Sequence, residues 1–151
     1  MKILSFGAGM QSTALALMSC DNAIAQTLGR PVPFPKVPVY DAVIICDLGF
    51  EPPWVQAQAD FVGQKCRSVG IFYTSLDAPL YQDLMRDFGK RRVVSIPWWT
   101  LSDDGHKSKM PRNCTLDYKV GLISKYVRWE LLGYRKGQRL KEEDKKAHEM
   151  H

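Results

Sequence analysis

The feature that most constrains this chain is the run Ile3-Leu4-Ser5-Phe6-Gly7-Ala8-Gly9-Met10-Gln11-Ser12-Thr13-Ala14-Leu15-Ala16-Leu17-Met18. It opens short and apolar, passes two glycines one residue apart, and then turns into helix-forming residues. The order is strand, tight turn, helix. Such a turn gathers backbone N–H groups at a helix N-terminus, where they lack internal partners and the dipole is positive. Phosphates and other anions bind in such places. Gly7 and Gly9 are expected to let the backbone turn sharply and come close to a ligand. Ser12 and Thr13 add hydroxyls, as helix caps or as phosphate donors. An ordinary βα turn has the same ingredients. The spacing lacks the third glycine of GxGxxG, and no Gly-Lys-Ser/Thr follows as in a Walker loop.

The rest of the chain alternates in kind. A first helix is expected from Gln11 to about Cys20, with Leu15, Ala16 and Met18 available to pack on a sheet. Four prolines between Gly29 and Pro38 exclude helix and central strand, so that span reads as an exposed loop. Asp41–Cys46 is nearly all apolar and β-branched, the pattern of a parallel strand buried on both faces. Pro53 suits the first turn of a helix running to about Arg67 or Ser68. Ile71–Ser75 reads as a third strand and Pro79–Phe88 as a short helix stopped by Gly89. Val93–Ile96 is a fourth strand or an extended segment, and Leu116–Leu132 a last helix stopped at Gly133. The β-α-β-α-β-α order predicts an α/β fold, a three-layer α/β/α doubly wound and mostly parallel sheet. Ligands of such sheets bind beyond the strands' C-terminal ends. The loop at Gly7, the Asp47–Glu51 turn and the segment after Ser75 stand there.

A length of 151 residues suits one domain with a substantial core. Residues 1–133 are expected to form it, with 134–151 a charged tail, either a solvated helix or disordered. No apolar run approaches the ~20 residues that span a bilayer, and no secretory leader pattern opens the chain. A cytoplasmic protein without membrane contact is the expectation. Cys20, Cys46, Cys66 and Cys114 are scattered with no CxxC pair, so neither a zinc site nor a redox motif is suggested and free thiols are expected. Cys46 ends an apolar strand and reads as core, while Cys114 lies in a polar loop. His148 and His151 in the tail have no thiol or carboxylate cluster that would make a metal site. The net charge of +5, of which +2 belongs to residues 135–151, fits an anionic ligand such as a nucleotide without requiring nucleic acid.

Gly7–Ser12 resembles the SGGxDS loop of the PP-loop ATP pyrophosphatases, the adenine nucleotide alpha hydrolase-like superfamily. Within it the likeness is to the branch related to phosphoadenosine phosphosulfate (PAPS) reductases. Gly7 stands where the family has its first serine and Gln11 where it has aspartate. Asp47-Leu48-Gly49-Phe50-Glu51-Pro52 resembles the family's ADTGxEP segment. Pro97-Trp98-Trp99, the basic loop Asp103–Met110, then Arg112-Asn113-Cys114-Thr115 and Tyr118-Lys119 resemble its Pro-aromatic pair, Gly-containing loop, Arg-x-Cys-Thr and helix-opening Tyr-Lys. The likeness covers about residues 1 to 133, and the chain reads as a short member abbreviated at its C-terminus.

The resemblance implies a Rossmann-like nucleotide-binding fold that holds ATP or a related adenine nucleotide, with PAPS as an alternative and magnesium as a companion. It implies adenylation of an acceptor with release of pyrophosphate, for sulfur or amine transfer. Ser5, Gly7, Ala8, Gly9, Gln11, Ser12, Thr13 and Asp47 become candidate nucleotide contacts. Asp47, Glu51, Arg112 and Lys119 become candidate catalytic residues. Asp47 and Glu51 would serve ribose, metal or substrate, and Arg112 and Lys119 would stabilise developing negative charge. Asp47 equally suits a turn and Glu51 a helix start. One of Trp98 and Trp99 is expected in the core, and either suits stacking on a base. Lys90-Arg91-Arg92 reads as a solvated loop. The reductases' C-terminal Glu-Cys-Gly-type motif does not occur, which argues against sulfonucleotide reduction. Four scattered cysteines argue against an iron–sulfur cluster. Two alternatives stand beside the adenylating enzyme: a non-catalytic sensor or sequestering module, and a subunit completed by a second copy or another chain.

Overall fold

The computed structural model describes residues 1–49, 51–87, 99–109, 115–141, 144 and 149–150. The first strand, β1, is Lys2–Phe6, followed by helix α1 over Met10–Thr27. Strand β2, Ala42–Asp47, leads to helix α2, Pro53–Ser68. Strand β3 is Phe72–Asp77 and helix α3 is Leu80–Asp87. Trp99–Leu101 and Lys107–Lys109 form a separate antiparallel hairpin, β4 and β5. Helix α4, Gly121–Tyr126, is continued at both ends by wider π-type turns over Thr115–Val120 and Val127–Leu131. A two-residue strand, β6, is Glu149–Met150.

The main sheet has the order β3-β2-β1-β6 with every pair parallel. Alternate residues of β1 and β2 point to opposite faces, and each face buries its own cluster. Leu4, Phe6, Val43 and Ile45 pack with Ala16, Cys20 and Ala23 of α1 and Ala59, Val62 and Cys66 of α2. Ile3, Ala42, Ile44 and Cys46 pack with Ile123 of α4 and Val127 beyond it. Burial on both sides is the reason β2 is so continuously apolar. A small parallel sheet with helices against it is the α/β arrangement expected.

Gly63 lets α2 come close to β3. A methyl group placed there would sit 2.8 Å from the Tyr73 ring. That ring donates its hydroxyl to the Ala59 carbonyl at 2.9 Å.

Three elements differ from the sequence reading. Helix α1 runs on from Cys20 to Thr27 through Asp21 and Asn22. Asn22 is 1% exposed and serves the proline loop beside the helix. Its amide donates to the carbonyls of Phe34 at 2.8 Å and Val37 at 2.7 Å, and its oxygen accepts the Phe34 N–H at 3.0 Å. The Ser19 hydroxyl likewise accepts the Tyr40 N–H at 2.9 Å. Polar residues of the helix thus satisfy a loop that has no ladder of its own. The tail is not simply solvated or disordered: Tyr134 is buried and donates to Asp144, and Glu149–Met150 pairs with Lys2 and Ile3 of β1. The third departure is the β4–β5 hairpin, over a span whose sequence predicts a loop. Its signal was the Asp104-Gly105 dipeptide between extended segments. Gly105 adopts φ 79°, and the Ser102 N–H donates to the His106 carbonyl across the turn at 3.0 Å.

Val93–Ile96, Lys90–Arg92, Trp98, His148 and His151 lie outside the described residues. Trp99 is 72% exposed, so it is not the core member of its pair.

Candidate functional site

The candidate site is where β1 and β2 leave the sheet side by side. Phe6, the last residue of β1, pairs with Ile45, so β2 runs two residues further and the turn after it opens beside and beyond the loop after β1. Strand β1 lies between β2 and the two-residue β6. Ligands of parallel sheets sit beyond the strands' carboxyl ends.

The loop itself is built differently from expectation. The left-handed turn falls on Ala8, at φ 50°, and not on either glycine. Gly9 is the N-cap of α1 with ordinary extended angles, φ −84° and ψ 165°. The glycines instead keep space clear: a methyl group at Gly7 or Gly9 meets no heavy atom within 4 Å. Left-handed backbone at a non-glycine residue costs about 1–2 kcal/mol, a strain typical of ligand-binding loops.

No side chain caps α1. The first helical bond is Thr13 N–H to the Gly9 carbonyl, at 3.0 Å. Met10, Gln11 and Ser12 therefore present N–H groups without intrahelical acceptors. An open cavity of about 500 Å³ lies against them, lined by Ser5, Gly7, Gly9, Met10, Gln11 and Ser12. It is a shallow cleft, widely open to solvent. Met10, 87% exposed, is a lining residue the sequence reading passed over. Its position as first residue of the helix was the available signal.

The two loop hydroxyls are already engaged. Ser12 Oγ donates to the Gly9 carbonyl at 3.2 Å and accepts the Gly7 N–H at 3.4 Å, closing the loop on itself. Thr13 Oγ1 accepts from Gln58 Nε2 of α2 at 2.6 Å, and Thr13 does not line the cavity. Ala8 does not line it either and packs partly buried against the core. Ser5, Gly7, Gly9, Gln11 and Ser12 are thus the candidate contacts brought together at the helix start.

Asp47 and Glu51 meet in a second, tighter cavity of about 40 Å³ between β2, β3 and α2, with Gln56, Asp60, Tyr73 and Ser75 on its walls. Asp47 Oδ1 accepts the Gly49 N–H at 2.8 Å, so one carboxylate oxygen makes the turn and the other stays available. Hard carboxylate oxygens suit magnesium when phosphates complete its shell. Asp47 and Glu51 fit that chemistry, and they are the residues that would hold such an ion. No group of three or more His, Cys, Asp or Glu side chains suited to a metal ion occurs among the described residues.

Lys119 comes to the same end of β2 from the opposite face. Its carbonyl accepts from the Cys46 thiol at 3.8 Å. Burial pushes the Cys46 thiol up to about 11, with the Lys119 charge opposing the rise. That keeps Cys46 protonated and inert. Cys20 and Cys66 are also buried free thiols, 3.9 Å apart between α1 and α2. Hydrogen bonding between them lowers Cys20 and raises Cys66. Arg112 and Cys114 lie outside the described residues.

Among the described residues no helix is long and apolar enough to cross a membrane. No family model matches the sequence, and no curated protein or solved structure matches the chain.

Proposed function

We propose that this chain binds an adenine nucleotide through its Gly7–Ser12 loop, in the manner of the PP-loop ATP pyrophosphatases its sequence resembles, on a Rossmann-like doubly wound sheet. The observation that carries the reading is the set of uncapped amides of Met10, Gln11 and Ser12 facing an open cavity at the C-terminal end of β1. Such amides stabilise an anion through charge-assisted hydrogen bonds and the helix dipole together. The neighbouring Asp47–Glu51 turn supports an adenosine reading, since carboxylates at the next strand end accept ribose hydroxyls.

In the enzymatic form of the reading, an acceptor oxygen attacks the α-phosphorus of ATP. The bond from that phosphorus to the α,β-bridging oxygen breaks, pyrophosphate leaves, and the acceptor carries the adenylate. The loop amides hold the departing pyrophosphate. Lys119 and Arg112 offset charge on the phosphoryl oxygens. Magnesium, if bound by Asp47 and Glu51, supplies charge neutralisation. Transfer of sulfur or an amine would follow as displacement of AMP.

One observation favours a non-catalytic sensor or sequestering module instead. Gln11 lines the cavity where the resembled family has an acid, which leaves the loop neutral. Titration calorimetry with ATP and PAPS, followed by a pyrophosphate-release assay on ATP with candidate acceptors, separates the readings. Binding with pyrophosphate release supports the enzyme, and binding without it supports the module. No heat with any adenine nucleotide refutes both.

A further inference from the structure

We infer that Gln58 is a positioning residue that locks the acidic turn to the anion loop through Thr13. The inference rests on the nucleotide reading above and concerns how the two halves of that site are held in register.

The two halves have separate supports. The loop continues into α1, and the Asp47–Glu51 turn continues into α2. Elsewhere along their length α1 and α2 meet through apolar packing and the Cys20–Cys66 thiol contact. Such contacts hold distance well but set sliding and rotation only loosely, because dispersion is non-directional. The Gln58–Thr13 hydrogen bond is directional, and at 2.6 Å it is short for an amide donor. It falls within one residue of the loop, at the fourth residue of α1, and in the second turn of α2.

Both partners are specialised for this bond. The Thr13 N–H is already used by the Gly9 carbonyl, so that backbone is part of the first helical turn. Its hydroxyl faces α2 and is not on the cavity wall. Gln58 is likewise off the wall of the acidic cavity, which is lined by Val55, Gln56, Ala59 and Asp60 from the same helix. Neither side chain lines either of these two cavities. The bond joins the helix that follows the loop to the helix that follows the acidic turn, and so fixes the carboxylates of Asp47 and Glu51 relative to the loop amides. A ligand that spans both halves needs that register, whereas one confined to the loop does not.

The test uses Gln58→Leu and Thr13→Val, which remove the bond while keeping volume, and the double variant. Affinities for ATP and for inorganic pyrophosphate are measured by calorimetry on the full chain, with thermal melts to confirm folding. The expected result is a loss of about tenfold in ATP affinity for each single variant, no further loss in the double, and pyrophosphate affinity unchanged. Loss of ATP and pyrophosphate binding in equal proportion overturns the inference, because the bond would then serve the loop itself. Multiplying losses in the double variant, or no effect on ATP, also overturn it. A wild-type chain that binds neither probe overturns the nucleotide reading and this inference together.

Discussion

Replacing Gly9 with alanine separates folding from binding at the anion loop. The backbone there, φ −84° and ψ 165°, is open to any L-residue. The added methyl meets no heavy atom within 4 Å. An N-cap alanine is worse than glycine by about 0.5 kcal/mol, and the stiffer unfolded chain returns a similar amount. Stability should therefore stay within about 0.5 kcal/mol of wild type, a melting shift of about 2 °C or less for a chain of this size. The methyl projects into open space beside the amides of Met10, Gln11 and Ser12, where a phosphate would approach. Displacing one charge-assisted hydrogen bond costs about 1.5–3 kcal/mol, or roughly 10- to 150-fold in affinity. Calorimetry with ATP and pyrophosphate, beside a thermal melt, reads both quantities. Two results would refute the reasoning: G9A binding within twofold of wild type, or a melting point lowered by more than about 5 °C. The first means the amides are not the anion site, and the second that the glycine serves the fold.

Asn22→Leu removes three hydrogen bonds from a residue 1% exposed and strands the Phe34 and Val37 backbone, so urea denaturation should show a loss of about 2–4 kcal/mol. Gly63→Ala should destabilise by about 1–3 kcal/mol in the same assay despite alanine's better helix propensity, because the methyl meets the Tyr73 ring at 2.8 Å. Gln11→Asp should raise the melting point slightly, since an acid in the first helical turn is worth about 0.3–1 kcal/mol, while weakening pyrophosphate binding in the absence of magnesium. Burial holds the Cys46 thiol at about 11 and the Tyr73 phenol at about 12, above their ordinary values of 9.0 and 10.0. Both groups favour the protonated form in the folded chain, so their stabilisation is complete below pH 9 and declines as pH rises toward 12. Denaturation followed from pH 8 to 12 should show that decline, and Cys46→Ala should lessen its lower-pH part, to which the raised Cys66 thiol also contributes.

Local pattern was enough for much of this protein. The apolar runs of β1 and β2, the glycine-flanked loop and the Pro53 helix start announced strands and helices, because burial on one or two faces writes itself into sequence period. Asp47 and Glu51 were legible as strand-end carboxylates for the same reason, and the cavity they share follows from where parallel strands stop. Tertiary context decided the rest. Asn22 lies beyond the end expected for the first helix, and only the proline loop lying against α1 makes it a buried hub. The left-handed turn falls on Ala8 although glycines flank it, and the Ala8 methyl packs partly buried against the core. The hydroxyls of Ser12 and Thr13 were candidates of equal standing in the sequence. The fold turned one back on the loop and the other toward Gln58, 45 residues away. A sequence specifies which groups can donate and accept, and which faces must leave water. Which donor meets which acceptor is settled only when distant segments are brought within 3 Å of each other.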